Sequence, residues 1–184
     1  MKFSLILCTL NRAEEVTGFI LSLLAQDYSN YELIIDQNTD DRINLIIERT
    51  KFPVEKLKHI KQMQHGLSRA RNLGLSYVEG DIIAFPDDDC CYSQNVLSSV
   101  LNFFSQYNGE YKIFSTNTKD ATCDASLIQS PNKTCDFNHL YPLGCSFTLF
   151  FLQHAKLIRF DERVGLVLDL FGALAKNMIF SFDF

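Results

Sequence analysis

The amino-acid sequence predicts an α/β fold in which a mostly parallel central sheet is flanked by helices. Three observations carry that expectation. Short, nearly unbroken apolar runs recur at Phe3–Thr9, Tyr31–Asp36 and Ile82–Phe85, the kind that parallel sheets bury on both faces. Stretches whose apolar residues fall at helical spacing alternate with them, which implies right-handed crossovers. Polar residues gather where the runs stop, and in such sheets ligands sit beyond the carboxyl ends of the strands.

The first run, FSLILCT, leads into Thr9, Asn11 and Arg12. A helix follows over AEEVTGFILSLLAQ, because Val16, Phe19, Ile20, Leu23 and Leu24 share one face and acids stand near its start, where the helix dipole favours them. YELIID is the second strand, closed by the polar residues Asp36 to Asp40, and DDRINLIIERTK is the second helix. LKHIKQM holds a short third strand. In HGLSRARNLGLSYVEG, Leu67, Ala70, Leu73 and Tyr77 align along a helix, Gly74 leaves room for close packing, and Gly80 ends the helix. DIIAFPDDD is the fourth strand. A further helix spans Asn95 to Tyr107, and EYKIFSTNT is another strand. Lys119 to His139 is polar and rich in turn formers, as a surface loop would be. Periodicity does not decide between strand and helix for LGCSFTLFFLQHAKLIRFDERVG.

At 184 residues, 47% hydrophobic and 21% charged, the chain is sized for one well-buried domain. A net charge of −5 without a basic stripe argues against a nucleic-acid partner; even Lys51 to Lys61 carries Glu55. The six cysteines, Cys8, Cys90, Cys91, Cys123, Cys135 and Cys145, form no C-x-x-C pair and read as free thiols suited to a reducing cytoplasm. The start, MKFSLILCTLNR, lacks the cleavage pattern of a secretory leader. Asp169, Lys176 and Asp183 interrupt the apolar end before a membrane span accumulates. A cytoplasmic protein without a transmembrane segment is the expectation.

Asp87, Asp88 and Asp89 stand side by side where a buried strand ends, although adjacent like charges repel. One of them could cap the helix near Asn95, but capping hardly explains three. Neither G-x-x-x-x-G-K-[ST] nor G-x-G-x-x-G after the first strand is present, so phosphate must be held some other way. Mg²⁺ or Mn²⁺ clamped by aspartate oxygens can bridge to a diphosphate.

Taken in order from Ser4 to Gly165, SLILCTLNR, ELIIDQNTDD, GLSRARNLGL, EGDIIAFPDDD and FDERVG resemble the family-two inverting glycosyltransferases of the GT-A fold. The resemblance implies a Rossmann-like GT-A domain over residues 3–165 and an atypical apolar tail over 166–184. It implies a UDP- or dTDP-sugar donor, a glycan or lipid-linked acceptor such as a growing surface polysaccharide, inversion, and Mg²⁺ or Mn²⁺ as cofactor. Thr9, Asn11 and Arg12 resemble the loop that wraps the nucleotide, and Asp36 the residue that accepts a hydrogen bond from the base. Asp87 matches the first position of D-x-D, Asp88 the ribose contact and Asp89 the metal ligand. Arg69 or Arg71 would meet the diphosphate or the base, the alternative being a solvated helix face. A nucleotidyltransferase would share the sheet and the metal, but it wants a glycine-rich loop after the first strand, and TLNRAEE has no glycine.

An inverting transferase also needs a general base, which this family usually carries in G-E-[DE]-x-D soon after the stretch matching FDERVG. Here LVLDLFGALAKNMIFSFDF stands in that place. Read from the third base of each preceding codon, Met178–Ile179 must give Asp, and Leu174 to Asn177 can give Gly-Glu-Glu followed by Tyr or His. A shift of reading frame after about Gly165 is therefore the expectation, with a tail never selected to pack. The alternative is an amphipathic helix docked on the sheet or peripherally on a membrane, for which its polar face is thin. Asp161, Glu162 and Asp169 are candidate substitute bases. His139, Tyr141 and Phe147 are candidates for an acceptor site or for packing.

Overall fold

The structure is a computed structural model that describes residues 1–10, 12–37, 42–62, 66–107, 113–115, 133–134, 149–152, 159–160, 162 and 178–180. Its strands are β1 (Phe3–Thr9), β2 (Tyr31–Gln37), β3 (Leu57–Lys61), β4 (Ile82–Ala84), β5 (Ile113–Ser115), β6 (Lys133–Thr134), β7 (Leu149–Leu152) and β8 (Met178–Phe180). The helices are α1 (Ala13–Leu24), α2 (Arg42–Thr50), α3 (Leu67–Leu75) and α4 (Val96–Gln106). All described strands join one sheet in the order β3-β2-β1-β4-β7-β5-β8-β6. Pairings β1–β2, β1–β4, β2–β3 and β5–β8 are parallel; β7 runs antiparallel to β4 and β5, and β6 to β8.

Alternation along the strands divides the core into two layers. Phe3, Leu5 and Leu7 of β1, with Tyr31, Leu33 and Ile35 of β2, pack in one cluster with Val16, Phe19, Ile20 and Leu23 of α1, Ile43, Ile46 and Ile47 of α2, and Leu97, Val100 and Phe104 of α4. Each fully buried Leu, Ile or Phe of this layer contributes about 2 kcal/mol of burial. Ser4, Ile6 and Cys8, opposite Glu32, Ile34 and Asp36, lie on the other side, where α3 packs. The approach is close: a Cβ on Gly74 would stand 2.5 Å from Ile6 Cγ2. That packing brings the start of α3 against the carboxyl ends of β1 and β2, where the site is built.

The structure adds detail to these expectations and changes some of them. The third helix stops at Leu75, not near Gly80, and Tyr77 is exposed. Gly80 has a different reason to be glycine: its N–H donates to Ser4 Oγ at 2.8 Å, and a Cβ there would sit 2.7 Å from the carbonyl oxygen of Lys2. Within the stretch read as surface loop, Lys133–Thr134 pair with β8. The undecided apolar stretch contributes β7, a strand between β4 and β5. In the tail, Met178–Phe180 are extended as β8 beside β5, and the remainder lies outside the described residues. His139, Tyr141, Phe147, Asp161 and Asp169 also lie outside them.

Candidate functional site

Beyond the carboxyl ends of β1 and β2, a cleft of about 170 Å³ is lined by Cys8, Thr9, Leu10, Asp36, Gln62, Gly66, Leu67 and Ala70. The register sets Asp36 beside Cys8. Gly66, which leads into α3, has φ +138°, a backbone conformation that a side chain would strain. Asp36 is 2% exposed, and among the described residues its Oδ2 has no hydrogen-bond partner. Burial pushes its carboxyl up to about 6. Burial likewise pushes the Cys8 thiol up to about 12, which leaves it an unreactive wall of the cleft.

The three consecutive aspartates follow β4, and each has an arginine. Arg71 of α3 is 2% exposed; its Nη2 reaches Asp87 Oδ1 at 3.3 Å, and its guanidinium lies 5.1 Å from the Phe160 ring centre and 5.8 Å from that of Phe85. Asp88 accepts from the Thr9 hydroxyl at 2.8 Å through Oδ2 and from Arg12 Nη1 at 2.9 Å through Oδ1. Arg12 Nη2 continues to Asp89 Oδ2 at 3.0 Å. Burial raises the carboxyls of Asp87 and Asp88, against the pull of Arg71 on the first and of Thr9 and Arg12 on the second. Asp89 is lowered, chiefly by its hydrogen bond from Arg12. Part of the cation that the aspartate run demands is thus supplied by the chain itself.

The two arginines of the RAR segment divide. Arg71 turns inward to Asp87, whereas Arg69 Nε bonds Glu162 Oε2 at 3.2 Å. Asn72 holds the same distant segment: its amide nitrogen donates to the Phe160 carbonyl at 2.9 Å and to Glu162 Oε1 at 3.1 Å, and its oxygen accepts the Phe160 N–H at 2.9 Å. Glu162, a candidate base, is therefore engaged by α3. Asn72, Phe85 and Phe160 were missed from sequence; an Asn inside a helix, three residues beyond Arg69, is the signal that could have found the clamp. Asn11 lies outside the described residues.

The carboxylates also bear on the implied ion. Their hard oxygens suit Mg²⁺ or Mn²⁺, and Asp89 is half-exposed, with the Cys90 thiol donating to its Oδ1 at 3.6 Å. Among the described residues no three metal-ligating side chains converge. The residues fit an ion that takes one or two carboxylates and completes its shell with diphosphate and water, as Mg²⁺ commonly does.

The model of the glycosyl transferase family 2 matches residues 4–137, a span that contains Thr9, Arg12, Asp36, Arg69, Arg71 and all three aspartates. This chain belongs to that family. A glycosyltransferase of Haemophilus influenzae is 33% identical over 180 residues, covering 88% of this chain and 68% of its own length. The minor teichoic acid biosynthesis protein GgaB of Bacillus subtilis is 33% identical over 173 residues, 87% of this chain but 19% of its own. The chain spans 19%, 44% and 34% of the length of three of the curated relatives it matches. The crystal structure of S. aureus TarS residues 1–349 with UDP superposes with a TM-score of 0.75 at 18% identity, covering 100% of this chain and 61% of that one. The Rossmann-like GT-A fold expected for a family 2 glycosyltransferase is the fold observed. Among the described residues no helix is long and apolar enough to cross a membrane.

Proposed function

We propose that this domain transfers a sugar, with inversion, from a UDP- or dTDP-linked donor to a glycan or lipid-linked acceptor of a surface polysaccharide. The observation that carries the proposal is Asp36: a buried carboxylate oxygen without a partner among the described residues, lining a cleft at the ligand end of the sheet. A uracil or thymine N3–H is a donor of the right kind for it. Asp88, held by Thr9 and Arg12, would accept from ribose hydroxyls, and Arg71 holds Asp87 beside it. A Mg²⁺ or Mn²⁺ held by Asp89 would offset the charge of the departing diphosphate. Membership of family 2 supports the transfer chemistry. The UDP complex of TarS and the teichoic-acid role in the name of GgaB support the donor and the acceptor class.

Thermal shift with UDP-, dTDP- and GDP-sugars, with and without Mn²⁺, tests the donor. Stabilisation by the UDP or dTDP compounds, increased by Mn²⁺, is expected. Replacing Asp89 with Ala should abolish the Mn²⁺-dependent part of binding; calorimetry that finds it intact removes Asp89 from the metal role. A second reading, nucleotide-sugar binding without turnover, is favoured by the sequence after Gly165, which lacks the family's usual base motif. A transfer and donor-hydrolysis assay set beside calorimetric binding separates the two.

A further inference from the structure

Arg12 contacts two different carboxylates, and the two contacts differ in kind. Toward Asp88 it meets a side chain 8% exposed whose other oxygen is already bonded to Thr9. Toward Asp89 it meets a side chain 51% exposed, where water screens the pair and either partner can leave at little cost. Arg12 is itself 44% exposed, stands just before α1 and makes no side-chain cap; among the described residues its third ion pair, Nε to Glu15 Oε1, is long at 3.5 Å. One guanidinium therefore spans a fixed acid and a releasable one.

The releasable acid is the one the donor reading assigns to the divalent ion. A guanidinium and a divalent cation cannot share Asp89 without repulsion at short range. A diphosphate changes the balance, because its oxygens match the planar fork of arginine better than a single screened carboxylate does. We propose that Arg12 is the resident counter-cation of Asp89 in the nucleotide-free protein, and that it moves from Asp89 to the donor's diphosphate when the donor binds. Asp89 is then open to the ion only when diphosphate is present. Arg12 thereby couples the two bindings and keeps the empty site from filling with metal alone. The inference rests on the proposed donor site and adds to it an order of binding and the residue that enforces it.

Mn²⁺ titrations followed by the loss of the free-ion electron paramagnetic resonance signal beyond that of matched protein-free solutions, with and without UDP, test it on the full chain. Wild type is expected to bind Mn²⁺ weakly alone and much more tightly with UDP. Arg12→Gln is expected to bind Mn²⁺ alone about tenfold more tightly, and its enhancement by UDP is expected to shrink by about the same factor. Arg12→Lys keeps the charge but cannot span both acids with a fork, so it should shift both quantities in the same direction by less. Circular dichroism checks the fold of each variant; should Arg12→Gln fail to fold, Arg12→Lys carries the test with the same sign. UDP-dependent Mn²⁺ uptake in wild type, with variants that bind Mn²⁺ alone no more tightly than wild type, overturns the role of Arg12. Wild type without any UDP-dependent uptake overturns the metal role of Asp89, and the role of Arg12 with it, while the donor site at Asp36 stands or falls by UDP binding itself.

Discussion

Glu32 and Asp36 sit four residues apart on β2, on the same side of the sheet, and each is 2% exposed, yet their carboxyls are displaced in opposite directions. At Glu32 burial works against ionisation, but hydrogen bonds from Lys2, Ser4, the Glu79 N–H and Lys58 outweigh it and hold the carboxyl at about 2. Lys2 Nζ stands at 2.7 Å, Lys58 Nζ at 3.0 Å and the Glu79 N–H at 2.8 Å. At Asp36 burial acts without that answer, and the carboxyl rises to about 6. One strand thus carries a saturated acid where it starts and an unsaturated one where it ends. The first ties β1, β2, β3 and the approach to β4 together; the second leaves an acceptor that no described residue fills.

The largest expected effect breaks the saturated end. Replacing Glu32 with Ala strands the Ser4 hydroxyl and the Glu79 N–H and leaves Lys2 and Lys58 without their buried partner. A loss of about 3 kcal/mol in urea unfolding is expected, toward the low end for a broken buried ion pair because both lysines reach water. UDP affinity at a temperature where the variant is folded should not change. A variant that kept its stability and lost nucleotide binding would reverse the assignment of the two ends.

Asp36→Asn should do the opposite. It removes a buried charge without a described partner, so stability at pH 7 should rise by about 1 kcal/mol, while UDP affinity falls by about tenfold as a charge-assisted acceptor is lost. The linkage signs sharpen the contrast. The raised carboxyl of Asp36 adds stability that is fully present below its ordinary value of 3.8 and lost as pH rises through about 6. The lowered carboxyl of Glu32 adds stability that is present above its ordinary value of 4.5 and lost as pH falls through about 2. Urea midpoints should therefore lose the Asp36 component between pH 4 and pH 6 in wild type and not in Asp36→Asn. Over pH 5 to 7, UDP binding should strengthen in wild type as Asp36 ionises, and a flat profile would remove Asp36 from the base contact.

Much of this arrangement could be read before any coordinates. Apolar runs alternating with helical spacing located β1, α1, β2, α2, α3 and β4, because each satisfies a local pattern. The polar strand ends pointed to Thr9, Asp36 and the three aspartates for the same reason. Pairing was not legible. Arg12 and Asp89 are 77 residues apart, and Arg69 and Glu162 are 93 apart, so which arginine meets which acid depends on how the ends of β1 and β4, α3 and the segment after β7 come together. The demand for a cation at the aspartate run was legible, but arginine and a divalent ion meet that demand equally as charge. Gly80 misled as a helix stop because close approach of two backbones and a helix end ask for the same residue. The opposite ends of β2 looked alike as sequence, since Glu32 and Asp36 are both acids inside an apolar run.

The smallest effects test how far the proposed donor end extends along α3. Arg69 and Asn72 both grip the segment around Phe160, but their bonds differ in burial. The Arg69–Glu162 pair is exposed on both sides, so Arg69→Ala should leave the urea midpoint unchanged within error. Asn72 instead closes two bonds with the backbone of Phe160, whose ring lies beneath the Arg71 guanidinium and 4.9 Å from Phe85. Losing both bonds should cost about 1 kcal/mol, because the Phe160 N–H and carbonyl are left part-buried without that partner. Arg71 keeps Asp87 and the Phe85 ring, so UDP affinity in Asn72→Ala should fall by less than about threefold. A tenfold loss of UDP affinity with stability intact would move the Phe160 segment from scaffold to donor site, and the unsaturated end of the sheet would then reach across α3 as well.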